Sequence, residues 1–295
     1  MLDETLYTLH PIHNWEDLIH FHRELQEAAG DKKINWMYRG QKKPDKPTDP
    51  DFVSSLERTA QAYSIGFDEL PEIERKLVRE FKRKLHHYTS DIPDPDDGLE
   101  WLALMRHYEA PTRLLDFTYS FYVAVYFALE KADDNGCDVW ALNDHYFLAN
   151  IALPAWDRQV IKNKAERQKR NASRKREDSA HMEQNLTVEQ LLTTPTTCVH
   201  PVNPFRLNER LTIQQGVFLF PGDISKSFQE NLGAQYYALE SSHNLVKFEM
   251  QLDLAERIRI MKLLYQMNIS RATLFPGLGG FAESLKTRLA FLPEI

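Results

Sequence analysis

The chain has 295 residues, 42% of them hydrophobic and 27% charged, an ordinary balance for a globular protein with one sizeable core. A formal net charge of −7 excludes non-specific coating of DNA or anionic membrane by the whole surface, although a local basic patch remains compatible with it. Two cysteines, Cys137 and Cys198, stand in unrelated contexts with no C-x-x-C pair or disulfide framework, which suits reduced, structural thiols and a cytoplasmic setting. The acidic amino terminus, broken by Pro11, does not read as a signal peptide, and no apolar run reaches the ~18 residues of a membrane span.

Asn14 is placed to cap a helix over 15–29 that Gly30 ends. The stretch Ile34 to Gln41 alternates like a strand, with Ile34, Trp36 and Tyr38 on one face and Arg39 on the other, beside a glycine at 40 that lets a ligand approach the backbone. A proline-bearing loop covers 42–51. Residues 71–88 form an amphipathic helix with Pro71 in its first turn.

The most informative stretch is Glu100 to Lys131. A helix over 100–109 stops at Pro111. A short apolar run, Leu114 to Thr118, follows. From Ser120 to Leu129 the sequence is apolar on nearly every face, with small Ala124 and Ala128, and reads as a helix sunk in a core. Between the two helices lie His107, Arg113, Asp116 and Thr118. Charges in a segment bound for the interior must pair with one another, meet water in a cleft, or meet a ligand.

Val139 to Leu142 is a buried strand. Residues 158–176 hold nine Lys or Arg against one acid without apolar periodicity, a basic excursion inside an insertion of about 157–200, with nucleic-acid contact as the minority reading. Strands follow at 217–220 and 245–252, then a helix from Asp253 to about Met267 opened by a capping box with Glu256. Arg271 to Phe275 is expected as a short strand and 280–291 as a terminal helix. The irregular spacing of strands and helices excludes a Rossmann or TIM arrangement. It predicts a single α+β domain over 1–295 with a mainly antiparallel sheet of short strands flanked by helices.

P-loop, dinucleotide-fingerprint, H-E-x-x-H and G-x-S-x-G signatures are missing, and the histidines show no metal-ligand spacing with the cysteines, so no metal is expected. What remains is arginine-centred: Arg39 at a strand end, and Arg113 close to Asp116. A guanidinium fork matches phosphate or carboxylate, and Arg113 and Asp116 equally suit pairing with each other.

YRGQ at 38–41, SLER at 55–58 and HYEAPTRLLDFTYSFYVAVYFA at 107–128, with QQGVF at 214–218 and TLFPGLGG at 273–280, resemble the FRG domain family. The motif order is in turn similar to that of ADP-ribosyltransferases. That resemblance implies NAD as substrate, held by Arg39, supported by Thr118 and flanked by Gly40, Gln41, His107, Arg113 and Gln214. Tyr38 or Tyr108 would stack on nicotinamide, and Gln215 would stand where the transferases carry their catalytic Glu or Gln. Glutamine can orient a ribose hydroxyl but is no general base, so either Asp116, Glu209 or the substrate supplies basicity, or the site binds without turning over. On this resemblance the protein is a bacterial toxin or anti-phage defence effector with a macromolecular target and a cognate inhibitor. The alternatives are a non-catalytic module gripping a nucleotide or other anion, and a nucleic-acid-binding protein using 158–176.

Overall fold

The computed structural model describes residues 2, 4–28, 36–46, 48–143, 179–204, 209–237 and 244–289. In chain order they form β1 (Thr8–Ile12), α1 (Trp15–Ala28), β2 (Trp36–Lys42), α2 (Ser55–Ala62), α3 (Leu70–Leu85), α4 (Gly98–His107), β3 (Leu115–Thr118) and α5 (Phe121–Glu130). There follow β4 (Cys137–Asn143), α6 (Ser179–Thr193), β5 (Val199–Val202), α7 (Glu209–Ile213), β6 (Gly216–Pro221), α8 (Phe228–Tyr237), β7 (Leu245–Met250), α9 (Leu254–Gln266), α10 (Arg271–Leu274) and α11 (Leu278–Arg288). The seven strands make one mixed sheet in the order β1-β7-β4-β2-β3-β6-β5. β1 runs parallel to β7 and every other pair is antiparallel.

Period-two alternation divides the core between the two faces of the sheet. Tyr38, Val139, Ala141, Val246 and Phe248 face α1, α5 and α9, whereas Met37, Trp140, Leu142 and Leu245 face Phe52 and, on α8, Phe228 and Leu232. β4 is buried along its whole length because both of its faces are covered. The two edge strands each carry a proline, Pro11 in β1 and Pro201 in β5. Proline cannot donate to a further ladder, so it fits only there and blunts the edge against another chain.

Gly40 seats α5 on the sheet. A Cβ at position 40 would lie 1.7 Å from the Ala124 carbonyl oxygen and 2.6 Å from the Ala128 nitrogen. The glycine therefore admits a helix, and it also borders the cavity described below.

Three other expectations change. Arg271–Leu274 is a helical turn rather than a strand, because the Ser270 hydroxyl caps it by accepting from Thr273 N. Glu256 does not close a capping box on Asp253; its carboxylate accepts from Trp15 N at 2.8 Å and ties α9 to α1. The sheet is mainly antiparallel, as expected; its one parallel pair is made by Thr8–Ile12, hidden as a strand by its proline, on β7. From Ser179 onward the expected insertion is built into the fold, for Val188, Leu191, Cys198 and Val202 pack with α4 in one buried cluster. The basic stretch 158–176 lies outside the described residues. No described helix is long and apolar enough to cross a membrane.

Candidate functional site

β2 and β3 share a single registered pair, Tyr38↔Thr118. Beyond it the strands part, and Arg39 spans the gap by donating from Nη1 to the Asp116 carbonyl oxygen at 2.8 Å. The parting opens a cavity of about 1030 Å³, walled by β2, the loop after it, the carboxyl end of α4, α7 and the Arg271 to Phe275 turn. Eight lysines and arginines line it against five acids, in a protein whose overall charge is negative.

Arg39 and Gln41 lie on the cavity face of β2, and Arg39 Nε donates to Gln41 Oε1 at 3.1 Å. Gln41 Nε2 donates to the Asp51 carbonyl at 2.7 Å and so holds the loop that forms one wall. Desolvation lowers the Arg39 guanidinium to about 10, with Asp116 opposing and Arg58 and Arg106 adding, which leaves it charged at neutral pH. Asp116 takes a bidentate ion pair from Arg106. Burial would raise this carboxyl, but Arg106, then Arg39 and Arg210, hold it below its ordinary value. It is thus an ionised counter-charge rather than a general base near neutral pH. His107, at the end of α4, lines the cavity with its pKa lowered by desolvation and by Arg210, so its imidazole is mostly neutral at pH 7.

Other expected residues sit elsewhere or are already engaged. Tyr38 borders the cavity, but its side chain faces α5, packs edge-on against Phe121 and receives a hydrogen bond from Gln26 Nε2 at 2.8 Å, so the ring is engaged in the core rather than free to stack on a ligand. Tyr108 is 61% exposed and outside the cavity lining. Arg113 is buried on Glu74 rather than on Asp116, and it too lies outside the lining. The Thr118 hydroxyl donates to the Gln214 carbonyl at 2.6 Å and accepts from Ser120 N at 2.9 Å, which stitches β3 to the α7–β6 turn. Gln214 lines the cavity, but its amide donates to the Leu274 carbonyl at 2.9 Å. Gln215 is exposed, adopts φ +48 and is absent from the lining. It ends α7, with its N–H on the Thr212 carbonyl at 3.1 Å. Among the described residues no cluster of His, Cys, Asp or Glu could hold a metal.

The sequence reading overlooked much of the cavity's cationic wall: Arg58, Arg106, Lys131, Arg210 and Arg271, with Phe275 among them. Arg210 and Arg271 both lie over the Phe275 ring, at 4.2 and 3.8 Å from its centre. Arg58, within the SLER stretch, is the one cation of the five that falls in a short motif visible in the sequence.

Behind the cavity, Lys247 Nζ sits 3.1 Å from Asp138 Oδ2 and 3.5 Å from Asp51 Oδ1, over the Trp140 ring. Asp138 is fully buried, and desolvation pushes it up to about 6 despite Lys247. A carboxyl raised in the folded state binds more protons folded than unfolded between about pH 4 and 6. Its contribution is present below pH 4 and lost as pH rises through 6. Urea denaturation of wild type and Asp138→Asn across pH 4–7 should therefore show wild type losing stability relative to the variant, on the order of 2 kcal/mol. Parallel curves would show that Asp138 does not titrate in this range.

No curated protein and no solved structure matches the chain. Arg39, Gln41, Arg106, His107 and Asp116, which meet across the parted strands, all fall in residues 34–137. That span matches the family model described as the FRG domain, which supports the resemblance to the FRG domain family over residues 34–137.

Proposed function

We propose that the cleft binds a phosphorylated nucleotide of the NAD and ADP-ribose class. The observation that carries this reading is a cavity of nucleotide size lined by eight Lys or Arg in a protein of net charge −7. Guanidinium groups fixed at a wall suit phosphate oxygens, which accept paired hydrogen bonds.

Binding is better supported than turnover. Gln215, in the position that the transferase resemblance makes catalytic, is absent from the cavity lining, and the Thr118 hydroxyl and the Gln214 amide nitrogen are bonded to backbone carbonyls. Chemistry at this site would fall to the neutral imidazole of His107 and the cavity-lining carboxylate of Glu109. The transferase reading, with its toxin or defence role, stands or falls on that turnover. Incubation with NAD labelled in the nicotinamide and in the adenylate separates the two readings. Retention of intact NAD, weakened by salt, is expected for a binding cleft. Nicotinamide release with label transferred to protein or nucleic acid would establish the transferase. Neither binding nor release at millimolar NAD would remove both.

A further inference from the structure

The cavity's cations are not equally free. Arg106 is committed to Asp116, Arg271 to Glu130, and Arg39 to the Asp116 carbonyl and Gln41. Arg58 donates to the Val53 carbonyl at 2.6 Å. Among the five arginines Arg210 differs: it is half-buried and, among the described residues, its guanidinium has no hydrogen-bond acceptor and no carboxylate partner, whereas Lys131, likewise without one, is exposed. Its fixed neighbour is the Phe275 ring, 4.2 Å away. Desolvation lowers its pKa, with Asp116 and Glu109 opposing only through space, so it is a charged group partly removed from water with no direct acceptor among the described residues.

The Phe275 platform is itself built. Gly280 packs so closely beneath residue 275 that a Cβ there would lie 1.8 Å from the Phe275 carbonyl oxygen. Gly277, at φ +108, makes the turn that brings α11 back. The TLFPGLGG stretch thus sets one aromatic ring at the cavity wall, with the Arg271 guanidinium also over it, at 3.8 Å.

We propose that Arg210, laid on Phe275, is the principal anion anchor of the cleft. It presents its donor edge to a phosphate of the ligand while Arg39 shapes the opening. A guanidinium stacked on an aromatic ring loses little further freedom when a phosphate arrives, and its planar fork matches two phosphate oxygens. The anchor comes from α7 and its platform from the turn after α10, both outside residues 34–137. The FRG segment therefore supplies one wall of the site and the carboxy-terminal part supplies the anion grip.

This inference rests on the nucleotide reading of the cleft, and the two can fail separately. ADP and inorganic pyrophosphate are titrated calorimetrically into wild type, Arg210→Gln, Arg210→Lys, Phe275→Leu and Phe275→Tyr, with a thermal melt of each. Arg210→Gln should weaken ADP binding at least about tenfold, and Arg210→Lys should recover only part, because charge returns without the fork. Phe275→Tyr should bind like wild type, and Phe275→Leu should bind more weakly than Phe275→Tyr at matched stability. Melting temperatures of the Arg210 variants should stay close to wild type, since no bond within the fold is lost. Wild-type affinity in Arg210→Gln would overturn the anchor and leave the nucleotide reading intact. Wild type that binds neither ADP nor pyrophosphate would overturn both. Unfolding of both Arg210 variants would make the side chain a structural one and end the proposal.

Discussion

Arg113→Ala is expected to lose about 3–5 kcal/mol of stability while the protein that remains folded binds ADP with wild-type affinity. Arg113 and Glu74 are 6% and 4% exposed at their side chains. Arg113 Nε donates to both Glu74 oxygens at 2.9 Å, Nη2 donates to Oε2, and Nη1 reaches the Pro221 carbonyl at 3.2 Å. The guanidinium also lies 4.8 Å from the centre of the Phe220 ring. Removing the arginine strands a carboxylate in the interior, which costs far more than the pair itself contributes. The double variant Glu74→Leu/Arg113→Met removes both charges and should recover most of the loss. Urea denaturation of the three proteins separates these effects. An Arg113→Ala protein that folds normally but binds ADP poorly would return Arg113 to the ligand, where the sequence had placed it.

Arg113 shows what periodicity can and cannot say. That a charged group sits in an apolar segment is visible in PTRLLD, and so is the need for a partner. Which partner is not visible, because Glu74 lies on α3 and reads there as one of many acids on an amphipathic helix. Arg39 is the complementary case. Strand alternation separates it from Tyr38 correctly, since that depends only on the two-residue period, and both cavity and core follow from it. The same alternation argues against a nicotinamide-stacking role for Tyr38, a consequence available from the sequence but overridden by the resemblance.

Elements with strong local signals were legible. α3, α4, α5 and α9 follow from apolar spacing and caps, β4 from its apolar run, and β7 from its alternation, although Lys247 is buried rather than outward. The edge strands were not, because Pro11 and Pro201 argue against a strand unless its place at the edge is known. Arg210 was also illegible as a site residue. Its meaning depends on Phe275, a contact made only when α7 and the turn after α10 meet at the cavity.

Gly40→Ala is expected to cost at least about 3 kcal/mol, beyond the ordinary range for one added methyl group in a core. Overpacking is usually relieved by a change of rotamer, but both close neighbours here are main-chain atoms of α5, the Ala124 oxygen at 1.7 Å and the Ala128 nitrogen at 2.6 Å. No side chain can turn aside, so the helix itself must move off β2. Ala124 and Ala128 are both fully buried, and the displacement would open the packing of Phe121, Val125 and the strands beneath them. Gly279→Ala is the matched control. That glycine lies in α11, where an added Cβ would meet nothing within 4 Å, and alanine there should be neutral or stabilising by up to about 1 kcal/mol. Melting temperature and soluble yield of the two variants decide the matter. A folded Gly40→Ala protein with wild-type melting and lost ADP binding would show that the glycine serves the ligand. Aggregation or a large fall in melting temperature, with Gly279→Ala unaffected, would place its role in seating α5, and would explain why a glycine follows Arg39 at the point where the sheet opens.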